Sequence, residues 1–271
     1  MGVVNVTPDS FSDGGRFLDP RTAVEHGRRL IDEGAQILDI GGESTRPGAD
    51  AVSAEEELRR VVPVVEGLAA AGAAVSIDTS KASVAAAALD AGASYVNDVT
   101  AFRGDPELAG LVAERGVDCC LMHMLGTPRT MQDDPRYDDV VSDVKAFLEQ
   151  RLAFAVAEGV AEERVMLDPG IGFGKTLEHN LELLARLGEI VALGRPVVIG
   201  LSRKSFLGKI TGRDEAGRAV ATAAANVLAL ERGASVFRVH DVPETRDALA
   251  VAAATLAGGW PLTPRTTTTT T

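Results

Sequence analysis

Glycine recurs along this chain wherever a helical segment stops and a short apolar run begins. Gly34, Gly72, Gly92, Gly116, Gly159, Gly194 and Gly233 all hold that position. A glycine there ends a helix in a left-handed conformation that other residues enter only at a steric cost. Each is followed by a run of strand length: Gln36–Ile40, Ala74–Ile77, Tyr95–Val99, Asp118–Met122, Val165–Leu167, Val197–Ile199 and Val236–Val239. The opening Val3–Val6 makes eight expected strands. Between them lie helical patterns at Pro20–Glu33, Ala54–Ala71, Ala82–Ala91, Pro106–Arg115, Tyr137–Glu158, Leu177–Leu187, Glu215–Arg232 and Pro243–Leu256. In the fifth, Val140, Val141, Val144, Phe147, Leu148, Leu152 and Val156 recur at steps of three and four, a one-sided apolar stripe. The strands themselves are almost continuously apolar, as in a sheet buried on both faces. Eight such alternations predict an α/β fold, a single-domain (β/α)8 TIM barrel. An open doubly wound sheet is the rival, with no reason to stop at eight.

The chain's 271 residues suit that fold, which typically takes about 250. The barrel is expected over residues 1–260, and residues 261–271 as a disordered threonine-rich tail with no core-forming pattern. Lys and Arg total 27 and Asp and Glu 39, a formal charge of −12. So acidic a surface argues against nucleic-acid or anionic-membrane partners. No apolar run approaches the roughly 18 residues that would span a bilayer. The start, Met1–Asn5, lacks the charged region of a signal peptide. Adjacent Cys119 and Cys120 point to opposite sides of a strand and read as small buried hydrophobes, not a disulfide framework. A cytoplasmic enzyme is the expectation.

A parallel barrel carries its active site at the C-terminal ends of its strands. Polar residues cluster at those ends: Asn5; Asp39, then Glu43-Ser-Thr45-Arg46; Asp78-Thr-Ser-Lys81; Asn97-Asp98; His123; Asp168; Ser202-Arg203-Lys204-Ser205; and Arg238-Val-His240. Any one of them could simply cap the following helix, but capping alone does not explain eight on one face. The loops after strands seven and eight frequently bind phosphate in such barrels. There Lys204 and Arg238 can clamp a phosphate or diphosphate, with His240 projecting to the same side as Arg238. Arg203 reads equally well as a surface ion pair. Asp78, Asn97 and Asp168 converge from strands three, four and six and suit a planar heterocycle with several N–H donors. Zinc has no suitably spaced histidine here. Magnesium held by one amide oxygen, waters and substrate phosphates is compatible. The loops Thr7–Gly15 and Gly41–Gly48 read as mobile covers.

Other motifs do not hold up. Gly170-Ile-Gly-Phe-Gly-Lys-Thr176 resembles the end of a P-loop, but Pro169 stands where glycine is needed, and Lys175 breaks the dinucleotide fingerprint. His26 and His179 read as ordinary surface residues of outer helices, and His123 as packing support between Met122 and Met124.

At this point a resemblance becomes specific. Met1–Gly15, Asp39–Gly48, Ser76–Lys81, Leu167–Lys175, Ser202–Ser205 and Arg238–Asp241 are similar, in order along the chain, to the motifs of the bacterial dihydropteroate synthases. The resemblance implies a transferase of folate biosynthesis that joins 6-hydroxymethyl-7,8-dihydropterin diphosphate to 4-aminobenzoate, with Mg2+ as cofactor. Carried over by motif, Asp78, Asn97, Asp168 and Lys204 would hold the pterin, and Asn5 the magnesium. Arg238 and His240 would hold the diphosphate, with Thr45 reaching toward it. Phe11, Ser12, Thr45, Arg46, Pro47, Phe173 and Ser202 would form or close the aminobenzoate site, where sulfonamides would compete. Asp168, Lys204 and Arg238 are the expected catalytic set, and a homodimer the expected assembly. The family usually carries residues ahead of the first motif, including a hairpin under the barrel. Their absence would shorten strand one and leave the barrel bottom less covered. A corrinoid-dependent methyltransferase would keep the pterin-binding acids but needs no diphosphate clamp.

Overall fold

A computed structural model describes residues 1–7, 19–46 and 48–258. Phe11, Ser12, Pro47, most of the Thr7–Gly15 loop and the threonine-rich tail lie outside the described residues. Eight strands alternate with helices in chain order: β1 Gly2–Asn5, α1 Pro20–Asp32, β2 Ile37–Gly41, α2 Ala54–Ala69, β3 Ala74–Asp78, α3 Ala82–Asp90, β4 Tyr95–Asp98, α4 Leu108–Arg115 and β5 Asp118–Met122. Then follow α5 Val140–Ala157, β6 Val165–Asp168, α6 Leu177–Ala185, α7 Gly188–Val191, β7 Val198–Ile199, α8 Ser205–Thr211, α9 Ala219–Glu231, β8 Val236–Phe237 and α10 Val242–Leu256.

Local chemistry explains where the helices begin. Asp19 caps α1, accepting from the Arg21 N–H at 3.0 Å, and Pro20 occupies the first turn, where no N–H is needed. Ser53 caps α2, whose first turn carries Glu55, Glu56 and Glu57 against the positive end of the helix dipole. All seven glycines expected to end helices have positive φ.

β1 to β6 pair in parallel in sequence order, and β7 pairs with β8. The two sheets meet at both seams. Leu167 N–H donates to Pro196 O at 3.0 Å, and Val3 N–H donates to Val239 O at 3.0 Å. The barrel therefore closes without a free edge. β7 and β8 are each two residues long, shorter than expected. Beyond β8, the His240 N–H turns to the Ser202 hydroxyl at 3.1 Å, which ends the ladder. The sixth expected helix ends at Ala185, two residues early, a short separate helix α7 follows, and a 3-10 turn at Ala216–Arg218 precedes α9.

The strands separate two cores. Leu38, Ile40, Val75, Ile77, Val96, Leu121, Leu167 and Ile199 belong to the large cluster against the helices. Cys120, Met166 and Val198, with Tyr95 and Val236, form a small plug inside the barrel. A fully buried Leu or Ile contributes about 1.5–3 kcal/mol, so the helix-facing cluster, far larger than the plug, supplies most of the cohesion. At the C-terminal ends of β4 and β5 a further small cluster, Val99, Met122, Met124 and Met131 with Phe173, lies beside the polar side chains of the mouth.

Candidate active site at the barrel mouth

The strand register puts Asn5, Gly41, Asp78, Asn97 and Cys120 in one row around the barrel. Side chains repeat every second residue, so Asp39 sits one level deeper on the same side as Gly41. Arg238 enters this lumen from β8. Its Nε donates to Asp39 Oδ2 at 2.6 Å and its Nη2 to Asp78 Oδ2 at 2.8 Å. Asn97 Nδ2 also donates to Asp39 Oδ2, at 3.0 Å. Asp39 is completely buried and its Oδ1 has no partner among the described residues. Burial works against charge on Arg238, but Asp39 and Asp78 outweigh it and hold the guanidinium above its ordinary value. Asp78 is displaced the other way. Burial raises its carboxyl to about 7, opposed by Arg238 and reinforced by Asp39. The guanidinium expected to face a diphosphate is thus already engaged by two carboxylates.

The wall opposite is built on β6 and the turn that follows. Asp168 Oδ1 accepts from the Gly170 N–H at 2.6 Å. Burial raises the Asp168 pKa, while Lys204 and that N–H oppose the rise. Lys204 donates to Ile171 O and lies 4.5 Å from the Phe173 ring centroid, a cation–π contact. Burial lowers its pKa to about 8, with Asp168 pulling it back up. Ser202 and His240 meet through the ring Nδ1 at 3.0 Å. Burial, then Arg238 and Arg203, lowers His240 to about 4, so its ring is neutral near pH 7. Arg203 pairs with Asp241, its Nε donating at 2.9 Å, which settles it as an ion pair.

The loop after β2 reaches across the mouth, with Gly48 N–H donating to Pro128 O at 3.1 Å. On it Thr45 is half-buried and Arg46 exposed, and Arg46 reaches Glu215 at 3.0 Å. Asn5 is half-buried at the end of β1. Among the described residues no group of three or more His, Cys, Asp or Glu could hold a metal. One hard amide oxygen in the row of Asp78 fits a magnesium whose other ligands are phosphate oxygens and water, and does not fit zinc.

Several residues with clear contacts here had no site role from sequence, although Asp39 and His123 stand among the polar strand ends. Asp39 is flanked by Leu38 and Ile40, and a carboxylate inside so apolar a strand was the available signal. Lys175 is buried, which lowers its pKa well below the ordinary value; its Nζ contacts His123 Nδ1 at 2.9 Å and donates to Phe173 O at 3.0 Å. His123 is therefore a polar partner as well as a packing residue. Burial first, then Lys175, lowers its pKa to about 2. His179, read as an ordinary surface residue, completes a capping box with Thr176 and stacks edge-on against Tyr137.

Acids, an amide and two partly buried cations thus gather at the C-terminal mouth of a parallel barrel, where barrel enzymes carry their active sites. Residues 1–240 match the pterin binding enzyme family. The chain is 51% identical over 266 residues to the dihydropteroate synthase of Mycobacterium leprae, covering 96% of this chain and 94% of that protein. The Xanthomonas albilineans dihydropteroate synthase solved with 4-aminobenzoic acid superposes with a TM-score of 0.89 at 51% identity, covering 94% of this chain and 92% of that one. The same enzyme has been solved with 7,8-dihydropteroate. The Yersinia pestis enzyme in a sulfonamide complex gives a TM-score of 0.90 at 45% identity, covering 94% and 93%. The chain belongs to the pterin-binding enzymes and, within them, to the dihydropteroate synthases.

Proposed function

We propose that this enzyme condenses 6-hydroxymethyl-7,8-dihydropterin diphosphate with 4-aminobenzoate to give 7,8-dihydropteroate and diphosphate. The observation that carries the assignment is the convergence of Asp78, Asn97 and Asp168 with Lys204 and Arg238 at one barrel mouth, in a chain so similar to dihydropteroate synthases. Asp78 and Asp168 accept from the pterin's N–H groups, Asn97 adds an amide, and Lys204 donates to a ring acceptor. Arg238, with neutral His240 as a second donor, binds the departing diphosphate. Part of the Arg238 guanidinium stays with Asp39, which keeps it in the lumen.

The methylene C–O bond breaks first, leaving the electron pair on diphosphate and positive charge delocalised into the dihydropterin. The aminobenzoate nitrogen then forms the C–N bond and loses a proton to solvent. No enzyme nucleophile takes part. When bound through Asn5, magnesium would supply charge neutralisation at the diphosphate. Thr45, Arg46, Phe173 and Ser202 serve the aminobenzoate, a role that Phe11, Ser12 and Pro47 share by motif, and sulfonamides compete there.

We also assign a homodimer. Val220 on α9 and Val251 on α10 are 80% and 69% exposed, with Leu228 and Leu256 nearby in sequence on the same two helices, an apolar surface suited to a second copy. Among the described residues no helix is long and apolar enough to cross a membrane. The acidic charge of −12 argues against nucleic-acid partners.

The test is diphosphate release with magnesium, with and without 4-aminobenzoate, while dihydropteroate is followed. Aminobenzoate-dependent product is expected. Lys204→Ala and Arg238→Ala should each lower kcat/KM by about a hundredfold or more, as loss of a charged hydrogen bond does. Folded protein that binds pterin without making product would overturn the assignment.

A further inference from the structure

Lys81 lies three residues beyond Asp78, at the N-cap of α3, and takes no part in the reaction described above. Its ammonium bonds Glu43 on the loop after β2 and Glu57 in the first turn of α2, the latter at 2.5 Å. The Glu57 side chain is fully buried, and its Oε1 has no partner among the described residues. Glu43 uses its other oxygen to accept from the Val52 N–H at 3.3 Å. One residue earlier, Arg60 Nη1 donates to Gly42 O at 2.8 Å. Gly42 is pressed so closely on α2 that a Cβ there would come within 2.7 Å of Val61 Cγ1. Two cations therefore grip consecutive residues at the root of the loop, and Thr45 and Arg46 follow at once.

A carboxylate–ammonium–carboxylate group with one buried oxygen left bare is a poor way to join two helices. Burying charge costs several kcal/mol per ion, and well-packed apolar residues often do as well or better. An apolar plug, however, could not seize the side chain of Glu43 and set the course of the backbone beside it. We propose that Lys81, by clasping Glu43 against Glu57, is a positioning residue that presents the Thr45–Arg46 segment to 4-aminobenzoate. The inference rests on the function proposed above. The clasp also joins the aminobenzoate loop to the strand end that carries Asp78.

The experiment compares wild type, Lys81→Met and Lys81→Arg by steady-state kinetics and by amide hydrogen exchange. Lys81→Met should raise the KM for 4-aminobenzoate about tenfold, within the range of coupled neighbouring residues, and leave the KM for the dihydropterin diphosphate within about twofold. Lys81→Arg should recover most of the loss, and exchange across residues 43–52 should quicken only in the Met variant. Loss of stability alone would not split the two KM values. Parallel changes in both, or unchanged exchange across the loop, would overturn the proposal. If Lys81→Met does not fold, Glu43→Gln carries the same test from a partly exposed position. A wild type that makes no dihydropteroate would sink the proposed function instead, and the exchange comparison would still decide whether Lys81 holds the loop.

Discussion

Two sets of groups at the barrel mouth are held by different physics. In one, Asp78, Asn97 and Asp168 sit on strands, locked by register and by short bonds to Arg238, Asp39 and the Gly170 N–H. In the other, Thr45 and Arg46 ride on a loop fixed at its root by Lys81 and Arg60 and farther along by the Arg46–Glu215 ion pair and a backbone bond from Gly48 to Pro128. Strand-borne groups inherit the precision of the barrel. Loop-borne groups depend on a few ionic contacts, which makes them easier to disturb.

Two glycines offer the sharpest way to test that contrast. Gly170 has φ of +66°, and a Cβ there would stand 1.8 Å from His123 O. Neither backbone can yield without moving β5 or β6. Gly170→Ala should therefore cost more than about 4 kcal/mol, the scale of severe core lesions, and yield little soluble protein in urea melts. Gly48, on the loop, has φ of +81° with no described atom within 4 Å of the added carbon. Gly48→Ala should cost only about 1 kcal/mol of backbone strain. Similar losses at the two positions would break the comparison.

Between these extremes lies the charge state of the strand-borne half. The folded Asp78 value of about 7 lies above its reference of 3.8. Over that window the native state binds more protons than the unfolded chain, so this group makes stability fall as pH rises from 3.8 to about 7. Lys204 acts in reverse: its folded value of about 8 lies below 10.5, and its contribution to stability rises as pH climbs between them. The roles proposed for them need an ionised Asp78 to accept from the pterin and a protonated Lys204 to donate to it. A plot of kcat/KM against pH should therefore be bell-shaped, with limbs near 7 and 8. Asp78→Asn should lower the maximum about a hundredfold, by loss of a charged acceptor. It should also abolish the acid limb. A limb that persists in Asp78→Asn would assign it elsewhere.

The contrast also explains what could be read in advance. The barrel was legible because glycine punctuation and apolar runs are local signals, and each of the seven glycines has the backbone conformation its position demands. Asp78, Asn97 and Asp168 were legible because strand ends have a fixed address in such a barrel. The cluster around Arg238 was not, since Asp39 lies 199 residues away in sequence and meets it only when β8 closes on β1. Nor was the Lys81 clasp, whose three charges come from separate elements. The early end of β8 follows from the His240–Ser202 contact, which no local pattern records.

Cys119 and Cys120 are adjacent, yet one thiol belongs to the helix-facing core and the other to the plug within the barrel. Burial pushes the Cys119 thiol up to about 12 and the Cys120 thiol well above its ordinary range. Both therefore remain protonated and chemically quiet while the fold is intact. In a cell under oxidative stress, this enzyme's cysteines would be spared not by distance from oxidants but by the two layers that cover them. Each sulfur would become vulnerable only when its own layer opened.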